Sequence, residues 1–274
     1  MNHRSHSPVQ TEQTEARSPA KEARSGAGAS DFEALSQSYN YLTIESFAQT
    51  FADLIVSEAE RRAGQSRILD IGCGSGIGRE VRHQWRIKKV AREYWGIEPD
   101  EEIESSDGLF DEFQHALMET AALPSNSFDI AYSAMVMEHV AEPDAFLSSL
   151  HRALKPGGVY LFITPNANSF VPWATKVLHT LCVDELAVRL VRGQSKVDEY
   201  HYPVRFRCNT PKQLNRLAEA NGFAPPEFAY IEGLGSQSYL RGPLAPLRGL
   251  ISWKRNYLRR PENLATLICR MTKQ

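Results

Sequence analysis

The run Arg67-Ile-Leu-Asp-Ile-Gly-Cys-Gly-Ser-Gly-Ile-Gly78 constrains this chain more than any other stretch. Arg67 to Ile71 is short, apolar and β-branched, the composition of a buried strand. Glycines follow at Gly72, Gly74, Gly76 and Gly78, and such a run permits unusual φ values and lets a ligand approach the backbone closely. The next residues, Arg79 to Trp85, suit a helix whose N-terminal amides face the same loop. Strand, glycine loop and helix in that order form the nucleotide-holding unit of an open α/β sheet.

The spacing argues against a dinucleotide. The fingerprint Gly-x-Gly-x-x-Gly fails here, because its third position falls on Ile77 or on Arg79, depending on which glycine pair begins it. The run reads instead Asp70-x-Gly72-Cys73-Gly74-x-Gly76, with an acid at the strand's end. That pattern resembles motif I of the class I S-adenosylmethionine-dependent methyltransferases, in particular the methyltransferase type 11/23-like group. The chemistry is consistent, since the methionine end of that cofactor carries an ammonium and a sulfonium, which suit a carboxylate.

Further segments extend the resemblance in order. Glu93-Tyr-Trp-Gly-Ile97 reads as a second strand, followed by Glu98-Pro99-Asp100. An acid at that strand tip is placed to accept both hydroxyls of a ribose. Phe113 to Leu117 reads as a third strand leading into Met118-Glu119-Thr120-Ala-Ala-Leu-Pro124. Alignment with the family's segment before its Leu-Pro turn implies that Glu119 lies near the adenine amino group and that the Thr120 amide reaches a ring nitrogen. Met118 departs from the small residue usual there. Ser127 to Ala134 reads as a fourth strand, and the following Met135-Val-Met-Glu-His-Val140 resembles the family's strand-end segment. The resemblance therefore implies that Met135, Glu138 and His139 border the cofactor. Lys155-Pro-Gly-Gly158 ends a helix over Asp144–Leu154 and feeds a fifth strand, Val159–Thr164.

The chain has 274 residues and 42% apolar content, enough for one large α/β domain. Thirty-one basic residues against thirty-three acidic ones leave a net charge of −2, so no global field draws the protein to nucleic acid. The four cysteines are scattered, with no zinc spacing; reduced thiols in a cytoplasmic protein and no metal are expected. Residues 1–30 have little to bury and read as a disordered tail. Residues 31–274 read as the methyltransferase domain. Its core, 43–166, opens with a helix from Thr43 to Gly64, and Tyr39 and Tyr41 precede it as candidates for the ligand entrance or for packing.

After Asn166 the resemblance weakens. Residues 167–208 stand where the family commonly inserts an acceptor lid. Arg205 and Arg207, beside Tyr200, His201 and Tyr202, suit an acidic or sugar-like acceptor; packing on the sheet edge is the competing reading. Asn166 joins them as a candidate acceptor contact. In the part 209–274, Thr210-Pro211 starts a helix, and Phe228–Ile231 with Ala265–Met271 complete the sheet. The expected fold is α/β: a Rossmann-like, seven-stranded, mostly parallel sheet with an antiparallel last strand, helices on both faces and a lid insertion. Residues 247–260 are basic and amphipathic, which fits peripheral contact with an anionic membrane or an acidic partner, although such a stretch is more often a half-buried helix with a solvated positive face.

The reaction this implies is methyl transfer from S-adenosyl-L-methionine to a small-molecule, glycan or lipid-linked acceptor, with a hydroxyl as the leading target. Methyl transfer needs alignment and exclusion of water, and His139 is the candidate base for a hydroxyl acceptor; the competing reading is a histidine that hydrogen-bonds a backbone carbonyl to shape the loop. Two alternatives are a non-catalytic partner protein that binds the same cofactor and a nicotinamide-dependent oxidoreductase, which the glycine spacing disfavours.

Overall fold

A computed structural model describes residues 32–44, 46–169, 203–233, 249, 253 and 257–274 of the chain. Eight strands form one sheet. In chain order they are β1 (Asn40–Ile44), β2 (Arg67–Ile71), β3 (Glu93–Ile97), β4 (Glu112–Gln114), β5 (Phe128–Ala134), β6 (Leu154–Pro165), β7 (Glu227–Gly233) and β8 (Thr266–Thr272). Their spatial order is β1-β7-β8-β6-β5-β2-β3-β4. All neighbours run parallel except β8, which is antiparallel to both β6 and β7. The chain lays β2, β3 and β4 in one direction and then returns to β5 on the other side of β2. The carboxyl ends of β2 and β5 therefore flank a topological switch point, where open α/β sheets bind ligands.

Two apolar layers cover the sheet. Helices α1 (Phe32–Gln37), α2 (Phe47–Arg61) and α3 (Val81–Val90) place Leu35, Phe51, Leu54, Ile55 and Ile87 against Ile68, Ile130 and Ile163. Helices α4 (Pro143–Ala153) and α5 (Pro211–Ala220) place Phe146, Leu147, Leu150, Leu214 and Leu217 against Leu69, Ala131 and Phe162. Successive strand residues face opposite sides, so Ile68 belongs to the first layer and Leu69 to the second. The same parity turns Asp70 toward α2 and α3. Register places Asp70 opposite Tyr132 on β5 and Ile68 opposite Tyr94 on β3.

The sheet has the expected class and the antiparallel strand, and it has eight strands rather than seven. The extra one is β1, which pairs with β7 in the stretch expected to begin a helix. Asn-Tyr-Leu-Thr-Ile is aromatic and β-branched and suits an edge strand. The helix starts later, with Ser46 as N-cap accepting from the Gln49 amide at 3.4 Å. The Tyr39 and Tyr41 rings lie near one another on this edge, tilted by 37° with 6.1 Å between centroids, and neither borders the cavity described below. The Lys155–Gly158 segment forms the start of β6, where the pairing with β5 shifts register. Among the described residues, no helix is long and apolar enough to cross a membrane. The tail 1–30, most of the insertion and most of 247–260 lie outside the described residues.

Candidate functional site

The glycine loop is fastened at both ends. The Gly72 and Cys73 amides both donate to the Ile97 carbonyl, at 2.8 and 3.2 Å, which folds the loop over the end of β3. Gly72 has φ +65, and a Cβ there would meet Val136 Cγ2 at 2.5 Å. Gly76 has φ +97 and packs so closely on the start of α3 that a Cβ would lie 2.7 Å from the Val81 nitrogen. Only glycine meets both the conformational and the steric demand at these positions.

Two buried carboxylates flank this loop. Asp70 lies beneath it, its Oδ2 accepting from Gln84 Nε2 at 2.7 Å, Tyr132 Oη at 2.6 Å and Tyr94 Oη at 3.0 Å. Burial pushes its carboxyl up to about 6, and the three hydrogen bonds pull in the opposite direction. Glu98 closes the end of β3, with Oε2 accepting from the Gly74 amide at 2.8 Å and Oε1 from the Asp100 amide at 3.1 Å. Its carboxyl is also raised by burial, against those two backbone donors. Among the described residues neither acid has a cationic partner in a salt bridge.

A cavity of roughly 400 Å³ opens between the carboxyl ends of β2, β3 and β5. Gly72, Glu98 and Pro99 border one part, Leu117, Met118 and Glu119 a second, and Met135, Val136, His139 and Arg205 a third. Most of its wall is apolar. Met135 adopts φ +57, an uncommon conformation for a side-chain-bearing residue, with its amide bonded to the Ile163 carbonyl at 2.8 Å. That bend redirects the chain after β5 across the cavity. A smaller cavity of roughly 250 Å³ lies on the α3 side of the loop and is bordered by Cys73, Gly74 and Gln84. The Cys73 thiol is buried and pushed well above its ordinary range by that burial and by both acids.

Several expected contacts lie elsewhere. The side chains of Glu138 and of Asp70 border neither cavity, so Asp70 acts on a ligand only through the loop above it, and Glu98 is the carboxylate of the pair at the wall. Glu138 is buried, and its Oε2 accepts from Thr164 Oγ1 at 2.9 Å, while Asn209 Nδ2 donates to that same hydroxyl at 2.6 Å. Glu138 thus braces the loop from behind. Asn166 is fully buried and is a structural tie instead of an acceptor contact, because its Nδ2 donates to the Glu262 and Leu264 carbonyls and its Oδ1 accepts from the Asn168 amide. The Thr120 amide is already bonded to the Leu117 carbonyl at 3.0 Å, within a turn, so it is not presented to a ring nitrogen. Arg207 does not border the cavity and is held by the Ala141 carbonyl at 2.5 Å and Glu142 at 3.3 Å, so that among the described residues Arg205 is the arginine at the wall. Tyr200, His201 and Tyr202 lie outside the described residues.

His139 places Nδ1 3.4 Å from the Pro203 carbonyl and Nε2 4.0 Å from Glu138 Oε1. Sequence reasoning passed over Gln84, Tyr94 and Tyr132, and also Leu117 and Val136. A tyrosine at the same face parity in both β3 and β5 was the available signal for the first group, but its meaning depends on inter-strand register.

Comparison with known proteins bears on this arrangement. Residues 42–226 match the family described as "Methyltransferase domain". A probable S-adenosylmethionine-dependent methyltransferase of Mycolicibacterium smegmatis is 33% identical over 132 residues, covering 47% of this chain and 49% of that protein. The ubiquinone biosynthesis O-methyltransferase of Ruegeria pomeroyi is 34% identical over 111 residues, 40% of this chain and 45% of that protein. The chain spans about half the length of the curated relatives it matches. Among solved structures, geranyl diphosphate methyltransferase in complex with GPP and sinefungin superposes with a TM-score of 0.51 at 11% identity, covering 82% of this chain and 79% of that one. The YcgJ protein from Bacillus subtilis gives 0.50 at 16% identity, covering 82% of this chain and 99% of that one. Identities this low report a shared fold.

Glu138 yields a pH prediction. Burial raises its carboxyl from an ordinary 4.5 to about 7, so between those values the folded state keeps a proton that the unfolded chain has lost. Its contribution to stability therefore falls as pH rises through that window. Urea unfolding of Glu138→Gln at pH 5 to 8 is expected to show a flatter stability profile than the parent protein, by on the order of 3 kcal/mol over the window. Parallel profiles would show that Glu138 does not carry this proton.

Proposed function

Because this chain belongs to the class I S-adenosylmethionine-dependent methyltransferase family, we propose that it transfers a methyl group from S-adenosylmethionine to a small acceptor, with a hydroxyl as the receiving group. The observation that carries this reading is the pair of buried carboxylates, Asp70 and Glu98, flanking the glycine loop. A pyrophosphate there would add negative charge beside two acids. A cationic cofactor meets their need for a partner. When bound, the cofactor supplies a methyl group on a positively charged sulfur, which leaves as a neutral thioether.

The chain's own residues would bind and align. Each Glu98 oxygen accepts one backbone N–H, which leaves each an acceptor position for a ribose hydroxyl. Pro99, Leu117 and Met118 supply apolar walls for an adenine, with Glu119 beside them as an acceptor for its amino group. Gly72 with Met135 and Val136 would flank the methionine portion. At the other end stand His139 and Arg205. With a hydrogen on Nδ1 directed at the Pro203 carbonyl, His139 Nε2 carries the lone pair that a general base uses on an acceptor hydroxyl.

Arg205 adds a positive group to the cavity wall, which suits an acceptor bearing an anionic group, and the apolar walls suit a hydrophobic body. The O-methyltransferase named among the relatives supports the choice of a hydroxyl. Glycan and lipid-linked acceptors fall within the same chemical description. In the division proposed for the chain, the part up to Asn166 binds the cofactor, residues 167–208 cover the acceptor, and 209–274 complete the sheet.

The test is a thermal-shift series with S-adenosylmethionine, S-adenosylhomocysteine and NAD at about a hundredfold over each dissociation constant, where binding adds about 2.7 kcal/mol. Each kcal/mol moves the midpoint of a domain this size by roughly 2–4 °C. Stabilisation by the two adenosyl compounds is expected; stabilisation by NAD alone, or by none, overturns the proposal. Glu98→Ala is expected to weaken S-adenosylhomocysteine binding by about 1.5–3 kcal/mol, measured by calorimetry. With an acceptor in hand, Arg205→Ala should raise the acceptor KM by about tenfold or more and leave that cofactor affinity unchanged. An unchanged KM would remove Arg205 from the acceptor.

A further inference from the structure

The proposed reading uses Asp70 but leaves unexplained the polar cluster around it, which no comparison assigns. Tyr94 and Tyr132 are fully buried, and their hydroxyls lie 2.5 Å apart. Both reach Asp70 Oδ2, Tyr132 at 2.6 Å and Tyr94 at 3.0 Å, and Gln84 Nε2 reaches the same oxygen at 2.7 Å. We infer that Tyr132 and Tyr94 are positioning residues that hold Asp70 as a buried, uncompensated carboxylate beneath the glycine loop, so that affinity tracks the positive charge of the ligand's sulfur. This rests on the methyl-donor reading above.

The hydrogen count shows how the cluster works. Two hydroxyls hold two hydrogens between them, while three oxygen–oxygen contacts need filling. With Asp70 ionised, Tyr132's hydrogen goes to Asp70 at the shorter distance and Tyr94's to Tyr132, which polarises the first bond, and the 3.0 Å Tyr94–Asp70 contact is filled only when the carboxyl is protonated. Tyr132 is therefore the hub. All three groups on Oδ2 are neutral. They stabilise the charge without cancelling it, whereas an arginine in the same place would cancel it.

The groups facing Asp70 are Tyr94 from β3, Tyr132 from β5, Gln84 from α3, Cys73 from the loop and Glu98 from the end of β3. None is a cation, and Glu98 repels it. Burial leaves the carboxyl at about 6, so near neutral pH it is ionised by a narrow margin. Both tyrosines are pushed well above their ordinary value by burial and by Asp70, which keeps them protonated and donating. A ligand whose sulfur is positive gains from the ionised acid. The thioether product carries one positive charge fewer and gains less, so the same device favours release after transfer.

The experiment measures dissociation constants of S-adenosylmethionine and S-adenosylhomocysteine by calorimetry from pH 5 to 8, on the full chain and on Tyr132→Phe and Tyr94→Phe. In parallel, the Asp70 carboxyl is titrated by ¹³C NMR in each ligand-free protein. In the parent protein, affinity for the sulfonium compound should fall by up to about tenfold per pH unit below the Asp70 midpoint, and affinity for the thioether less steeply. Removing the Tyr132 hydroxyl should move that midpoint up by about one unit, cutting the sulfonium-over-thioether preference by up to about twofold at pH 7 and up to about five- to tenfold between pH 6 and 5. Tyr94→Phe should move both in the same direction by less, and it keeps the test intact if Tyr132→Phe does not fold.

A tyrosine pair that only packs would lower thermal stability and leave midpoint and preference where they were. That result overturns the inference. If neither compound binds the parent protein at any pH, the methyl-donor reading fails instead, and the NMR midpoints still decide whether the tyrosines set the charge of Asp70.

Discussion

The charge on Asp70 is the constraint around which this site is arranged. A carboxylate without water or a counter-ion is costly, and the chain offsets that cost with three neutral hydrogen-bonding groups from three different elements, Gln84 and Tyr132 donating directly and Tyr94 through Tyr132. Each of those elements is fixed by the acid in turn. β3 and β5 must hold tyrosines in register on the α3 side of β2, and α3 must begin where Gln84 reaches both Asp70 and the Cys73 carbonyl. Gln84 thereby links the strand end, the loop and the helix. The glycine loop closes over this cluster through the Ile97 carbonyl, and Glu98, the next residue, turns back to the Gly74 amide. Two acids and one loop thus share a single hydrogen-bonded frame, and its local field is negative.

Much of that frame was legible in the sequence because it is encoded locally. The strand–glycine–helix order, the acid closing β3 and the apolar faces of α2, α4 and α5 all follow from short-range pattern. Asp70 was legible as an acid at the strand end, but its direction was not. Its side chain meets Tyr132 because residues 62 positions apart stand opposite in adjacent strands, and no local pattern encodes register between strands separated by a crossover. The edge strand β1 was missed for a related reason. Its pairing with β7 joins chain segments nearly two hundred residues apart, and Thr43 offered a locally acceptable helix cap in its place.

The acceptor end was the least legible part, and the reason is physical. Segment 203–209 is fastened to the strand-end loop by backbone groups: the Arg205 and Phe206 amides both donate to the Glu138 carbonyl at 2.7 and 3.2 Å, and the Cys208 thiol donates to the Met137 carbonyl at 3.1 Å. Those contacts decide which way each side chain points. Arg205 and Arg207, on either side of Phe206 at φ +51, are divided by this docking, one to the cavity wall and one to the Ala141 carbonyl. Composition identifies two arginines near a ligand, and only the tethered backbone chooses between them. Glu138 illustrates the same point. Its motif places it at the cavity, while Thr164 and Asn209 draw its side chain behind the loop, so its backbone carbonyl is the part that organises the acceptor wall. In the proposed reading, acceptor specificity would depend on how 203–209 is docked as well as on which residues it carries.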